Sequence, residues 1–251
     1  MTHGRIICLL LALLVPASPV VAEEPGVPAV VATEQKNVDP FESFNRQMFA
    51  LNDTLDTWFL RPVAKGYDWV MPDVAQRGVG NMFANMYDVN AAINSVLQGR
   101  FIHAAQCTGR FVLNSTLGIA GLFDVATPLG ISPYRTDFGH TLAIWGVDSG
   151  PFLMVPLFGP RTFRSGAGTI FDTYTSVPAY IDNVRLRNSL WGLELVDGRA
   201  RLLNTDELIT GDRYIFLRDA YLQSRETFVN DGKVQDNFSD YGESDENWED
   251  F

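Results

Sequence analysis

The sequence predicts a mostly α-helical protein with an irregular middle rich in glycine and proline. Three observations carry this. Apolar residues recur at three- and four-residue spacing through long stretches on both sides of the chain centre. No run of alternating apolar and polar residues reads as a series of strands, and no repeat has a fixed period. Between Thr116 and Ala179, glycines and prolines interrupt apolar pieces too short for long regular elements.

Residues 1–22 carry a basic Arg5, an apolar run from Ile6 to Val15, and small residues at Val20 and Ala22. That order reads as a secretory signal peptide cleaved after Ala22. The run is shorter than the roughly 20 residues a membrane span needs. Cys8 lies inside the run and not after a cleavage site, so an acyl anchor on cysteine is not expected and any attachment falls to the fold. Cleavage leaves Cys107 alone, which excludes an intrachain disulfide, and its small neighbours in HAAQCTGRF read as burial.

Residues 23–38 read as a flexible leader, 39–230 as one helical domain, and 231–251 as an acidic disordered tail with too little apolar surface to order itself. The net charge of -11 is concentrated in that tail, and the body is only mildly acidic, which argues against nucleic acid as a partner.

The body opens with DPFESFNRQMFALNDTLDTWFLRP. Asp39 suits an N-cap, Pro40 the first helical position, and Glu42 the carboxylate of a capping box. Phe41, Phe44, Met48, Leu51 and Leu55 follow at helical spacing until Arg61-Pro62, with a short helix predicted from there to Met71-Pro72. Met82, Phe83, Met86, Val89, Ile93, Val96 and Leu97 form the apolar face of the next helix, which Gly99 stops. Another helix covers Phe101 to Leu113, and two amphipathic helices lie in RLRNSLWGLELVDGRARLLN and DRYIFLRDAYLQSRETFVN. In the middle, PFLMVPLFGP reads as a brief extended piece that its prolines keep out of a sheet centre. The helical periodicity excludes a membrane β-barrel, and no mature segment has the uninterrupted apolar length of a spanning helix.

Catalytic signals are few. The mature chain has His103 and His140, neither with a partner at metal-ligand spacing; Asp137 is placed to cap a short helix beginning FGHTLAIWG. The nucleophile elbow G-x-S-x-G does not occur, FRSGAG lacking its first glycine, and no Walker-type phosphate loop is present. Nothing selects a glycosidase pair of carboxylates. The expectation is a protein that is not an enzyme, with no catalytic residues, metal or cofactor.

The stretch FVLNSTLGIAGLFDVATPLG poses a different question, since it is entirely apolar or glycine between Thr116 and Asp124. It fits a buried, close-packed turn, or a surface lying in one leaflet, which needs only one apolar face. The wealth of short apolar pieces favours the leaflet, with Trp58, Tyr67, Trp69, Trp145 and Trp191 as interfacial anchors.

Taken together, DPFESFNRQMFALND, RPVAKGYDWVMP, GVGNMFANMYDVNAAINSVLQG, RFVLNSTLGIAGLFDVA, FGHTLAIWGVDSGPFLMVPLFGPRTFR and RARLLNTDELI…DRYIFLRDAYLQSR resemble the MlaA/VacJ family over roughly residues 39–230. The resemblance implies a ring-like arrangement of amphipathic helices, monotopic in the periplasmic leaflet of the Gram-negative outer membrane and associated with a porin trimer. It further implies phospholipid as cargo, drawn from the outer leaflet through an amphipathic channel and passed to a periplasmic lipid carrier of the MlaC type. Many members carry a lipobox cysteine where this chain has Ala22-Glu23.

On that reading Phe111, Leu113, Leu117, Ile119, Leu122 and Phe123, with Phe152, Leu153, Leu157 and Phe158, form the lipid path. Phe41, Phe44, Met48 and Leu51 serve packing or gating of the ring. The alternatives are a structural porin-binding adaptor that moves no lipid, and a periplasmic lipid hydrolase.

Overall fold

The computed structural model describes residues 39–208 and 211–231; the expected signal peptide, the 23–38 leader and the tail beyond Asp231 lie outside the described residues. Helix α1 (Glu42–Leu55) runs through a π-helical turn (Asp56–Leu60) into α2 (Arg61–Val70). Then come α3 (Asp73–Leu97), α4 (Phe101–Thr116), α5 (Phe138–Ile144), a hairpin of β1 (Phe152–Val155) and β2 (Gly159–Thr162), and α6 (Phe163–Thr175). Helices α7 (Val184–Arg201) and α8 (Arg213–Val229) complete the described chain. No helix among the described residues is long and apolar enough to cross a membrane.

Two helix boundaries differ from the sequence expectation. Pro62 does not stop the first helix: it occupies the first turn of α2, where a missing N–H costs least, and the π turn before it absorbs the change of register. Asp39 is not an N-cap either. Phe41 holds that position without a side-chain cap, and the Asp39 carboxylate is buried. It accepts from Asn45 Nδ2 at 2.7 Å and from the Tyr214 phenol, with Arg218 at 3.6 Å. A buried carboxylate requires such partners, so Asp39 ties α1 to α8.

Several helices carry large apolar side chains on the outside. On α1, Phe41, Phe44, Leu51 and Leu55 are exposed, and Asn45 is the buried residue. Of that stripe only Met48 packs, with Phe49, against a small core of Phe152, Met154 and Tyr214. On α3 the buried set is Phe83 and Ala91 beside Asn85, Asp88, Asn90, Asn94 and Ser95, while Val96 and Leu97 face outward. Trp58 and Trp69 are 81% and 87% exposed. Water disfavours apolar surface at roughly 25 cal/mol per Å², so an exterior of this kind suits an apolar surrounding.

The polar interior does structural work between elements. Asn94 donates to Asp172 of α6 at 2.9 Å and accepts from the Thr141 hydroxyl at 2.9 Å; Asn90 donates to the Asp172 carbonyl at 3.0 Å. The hairpin pairs Phe152 with Thr162 and Val155 with Gly159, leaving Pro156, Leu157 and Phe158 as its turn. Two asparagines of α1 hold the free edge of β1. Asn45 accepts from Met154 N at 2.8 Å and donates to the Phe152 carbonyl at 3.2 Å; two helical turns on, Asn52 accepts from Leu157 N at 2.8 Å and donates to the Val155 carbonyl at 3.0 Å. Each carboxamide matches the donor and acceptor of a neighbouring strand, which a sheet edge otherwise leaves open.

The stretch after α4 answers to the same logic. Helix α4 continues to Thr116, then the chain turns through left-handed Ile119, Ala120 and Gly121. A Cβ on Gly121 would meet the Asn85 side chain at 2.8 Å, so glycine is required both by conformation and by space. From beneath, buried Arg110 donates to Thr127 Oγ1 at 2.9 Å, to the Ile131 carbonyl and to Asp124 at 3.2 Å, and faces Asp88 at 3.4 Å. Asn114 accepts from Val125 N and Ala126 N at 2.8 and 3.0 Å. The loop is pinned by polar groups on one side while Leu117, Ile119 and Phe123 project from the other.

Burial pushes the Asp88 carboxyl up to about 6 despite the facing Arg110. The same group in the unfolded chain titrates near 4, so the stability it contributes is fully present below about pH 4 and is lost as pH rises through 6. Unfolding measured from pH 4 to 6 falls in free energy by about 3 kcal/mol on this account, and Asp88→Asn flattens that component; an unchanged slope in the variant overturns the assignment. Asp124, whose carboxyl is held below its usual value by Thr127, Arg110 and Asn114 against the cost of burial, titrates outside this window.

Candidate functional site

Following contacts from element to element gives a closed circuit. The π turn joins α1 to α2; α2 packs on α7, α7 on α3, α3 on α5, and α5 on α6. Helix α6 meets β2, and β1 returns to α1. A cavity of about 950 Å³ is bounded by the π turn, α3, the hairpin, α6 and α7.

Its wall is mixed. Helix α3 supplies Phe83, Met86, Tyr87 and Asn90, which share one face at three- and four-residue spacing. Helix α7 supplies Trp191, Glu194, Leu195, Gly198 and Arg199 by the same periodicity, and α6 adds Thr169, Asp172 and Thr173. Leu60 comes from the π turn, Leu157 and Phe158 from the tip of the hairpin, and Arg161 from β2. Beyond α6, the cavity touches Pro178 in a short 3₁₀ turn.

Most charges in this wall are braced. Arg199 makes a two-bond pair with Asp56 at 2.7 and 3.0 Å. Asp137 receives both Arg225 nitrogens at 2.5 and 2.7 Å and caps α5 by accepting from His140 N at 2.7 Å, as its position in the sequence suggests. Asp172 accepts from Phe138 N at 3.0 Å, and burial raises its pKa. The Tyr87 phenol donates to Glu194; burial first and that carboxylate second push its pKa up. The arrangement provides an apolar wall for acyl-like chains and fixed charges for a polar head. Among the described residues no group of three metal-ligating side chains gathers. His103 stacks on Tyr134 at 4.0 Å; His140 is buried against Thr136, and burial lowers its pKa. Cys107 is fully buried, and burial pushes its thiol up to about 11.

The residues predicted to line a path divide between this cavity and the exterior. Leu157 and Phe158 stand in the cavity wall, and Leu153 lies opposite Arg161 in the hairpin register. Phe152 is wholly buried in the core against Tyr214 and Tyr221. Phe111 and Leu113 are half-buried on α4, and Leu117, Ile119, Leu122 and Phe123 are exposed away from the cavity wall. Phe41, Phe44 and Leu51 lie on the exposed side of α1. Of the five proposed anchors, Trp58, Trp69, Trp145 and Trp191 are exposed, the last at the cavity, while Tyr67 donates to Asp197 at 3.0 Å and is half-buried. Sequence reasoning did not single out Tyr87, Arg161, Glu194 or Leu195; the common spacing of Trp191, Glu194, Leu195 and Gly198 on one helical face was the available signal.

Comparison with known proteins gives consistent matches. A family model described as MlaA lipoprotein matches residues 37–227. The chain is 36% identical over 195 residues to an uncharacterised protein of Rickettsia bellii, covering 76% of each. It is 33% identical over 208 residues to the intermembrane phospholipid transport system lipoprotein MlaA of Escherichia coli K12, covering 80% of this chain and 82% of that one. The protein of the same name from Haemophilus influenzae is 32% identical over 207 residues, covering 78% and 81%. A solved structure from work on the structural basis for maintenance of bacterial outer membrane lipid asymmetry superposes with a TM-score of 0.68 at 34% identity, covering 76% of this chain and 99% of that one.

Proposed function

The chain belongs to the MlaA family, and on that membership we propose that it is a phospholipid transport protein associated with the outer membrane, serving lipid asymmetry. Phospholipid leaves the outer leaflet, passes the cavity inside the circuit of helices, and reaches a soluble periplasmic carrier of the MlaC type. The protein sits in the periplasmic leaflet against a porin trimer. The observation that carries this reading is the pairing of an apolar exterior with a cavity whose wall is part apolar and part charged. An outward apolar face holds a fold in a leaflet without a spanning helix, and the mixed wall solvates a headgroup while chains lie on Phe83, Met86 and Leu157. Export follows the signal-peptide pattern of residues 1–22. Transport is passive: lipid moves down a free-energy gradient set elsewhere in the system.

Photocrosslinking in cells tests the path. A photoreactive residue at Leu157 or Phe158 captures phospholipid under transport; one at Leu117 or Phe123 captures lipid of the surrounding leaflet whether or not transport runs. Capture of protein alone at Leu157 and Phe158 overturns the passage. If deleting the gene also leaves outer-leaflet phospholipid unchanged, the porin-adaptor reading replaces it.

A further inference from the structure

Two charges in the cavity wall stand apart from the rest. Asp137, Asp172 and Arg199 are each held by named partners within the protein. Arg161, among the described residues, makes no ion pair; its guanidinium donates to the neighbouring Pro160 carbonyl at 2.8 Å. Glu194 accepts from the Tyr87 phenol, which is neutral, and no cation lies within ion-pair distance of it among the described residues. Arg161 of β2 and Glu194 of α7 nevertheless line the same cavity, where the Tyr87 phenol of α3 donates to Glu194. A cation and an anion thus share one cavity wall without forming an ion pair with each other, beside the apolar surfaces of Leu157, Phe158, Trp191 and Leu195.

We infer that, within the reading of this cavity as a phospholipid passage, these groups select a zwitterionic headgroup, Arg161 taking the phosphodiester and Glu194 with Tyr87 taking the ammonium. The guanidinium fork matches two phosphate oxygens. An ammonium offers three donors, which the Glu194 carboxylate and the Tyr87 oxygen accept. The apolar walls thin out competing water and strengthen both contacts relative to solution. An anionic lipid whose headgroup ends in hydroxyls still satisfies Arg161, but it leaves the Glu194 carboxylate without a counter-charge. Discrimination therefore comes from the ammonium contact, which the anionic lipid cannot make.

The test uses the full chain purified in mixed micelles holding equimolar phosphatidylethanolamine and phosphatidylglycerol, with the bound lipids quantified by mass spectrometry. The wild type enriches the ethanolamine lipid on the order of fivefold, as expected for one partly solvated charge-assisted contact. Glu194→Gln brings the ratio to near one while total bound lipid is kept. Arg161→Gln lowers both lipids by a similar factor and leaves the ratio largely in place. A Glu194→Gln ratio equal to wild type, or wild-type enrichment of the glycerol lipid, overturns the headgroup assignment but not the passage. A wild type that carries no lipid at all defeats the passage, and the assignment with it.

Discussion

Asn45→Ala lowers the stability of the protein by about 3–5 kcal/mol, because it takes a partner from three groups at once. The Met154 N–H, the Phe152 carbonyl and the Asp39 carboxylate each lose a partner, and Asn45 itself is fully buried. Equilibrium unfolding in detergent measures the loss. Asn52→Ala, two turns along α1 and half-buried, costs about 1–2 kcal/mol by the same reasoning. Asn45→Asp separates hydrogen bonding from volume: the acceptor for Met154 N remains, yet a second carboxylate now faces Asp39, so this variant is as damaging as alanine or more so. A loss below about 0.5 kcal/mol for Asn45→Ala, the range of ordinary surface changes, refutes the view that α1 acts as a surrogate strand for the hairpin.

Arg110→Met is the second large effect, at about 3–5 kcal/mol, the range for breaking one side of a buried ion pair. The guanidinium is 3% exposed and serves Asp88, Asp124, Thr127 and the Ile131 carbonyl together. Its removal leaves Asp88 buried without a counter-charge and frees the loop from Leu117 to Ile131. Hydrogen exchange at Val125 and Ala126 therefore quickens more than exchange in α8. Arg110→Lys does not rescue, since one ammonium cannot span four acceptors that a planar fork reaches. Adding Asp88→Asn to Arg110→Met recovers part of the loss, because the orphaned charge is gone; strict additivity of the two changes would show that they do not act as a pair.

Much of the chain was legible from spacing alone. The three- and four-residue recurrence of Phe41, Phe44, Met48, Leu51 and Leu55 specified a helix, and Met71-Pro72 and Gly99 marked true ends. Asp137 was readable as a cap from its place before FGHTLAIWG, and Cys107 as buried from its small neighbours. Such signals are local. A helix or a cap is decided by residues within a turn or two, and the sequence lists those directly.

Tertiary structure decided which way each helix faces. Periodicity is symmetric: the same stripe marks an apolar core or an apolar coat, and only packing chooses. Here Asn45, Asp88, Asn94 and Arg110 are buried while Phe41, Phe44 and Leu117 are exposed. The choice follows from long-range pairing, Asn45 with β1, Asn94 with α6 and Arg110 with the loop after α4, across up to 109 positions of sequence. The site divides along the same line. Leu157 and Phe158 were visible as part of a brief apolar extended piece, whereas Tyr87, Arg161 and Glu194 share a wall only when α3, the hairpin and α7 come together around one cavity. The sequence by itself determined the helices, their ends and the apolar character of their stripes. The enclosure of the cavity and the inward turn of the polar faces were left to the tertiary structure, because a buried amide or charge is tolerable only where a distant partner satisfies it.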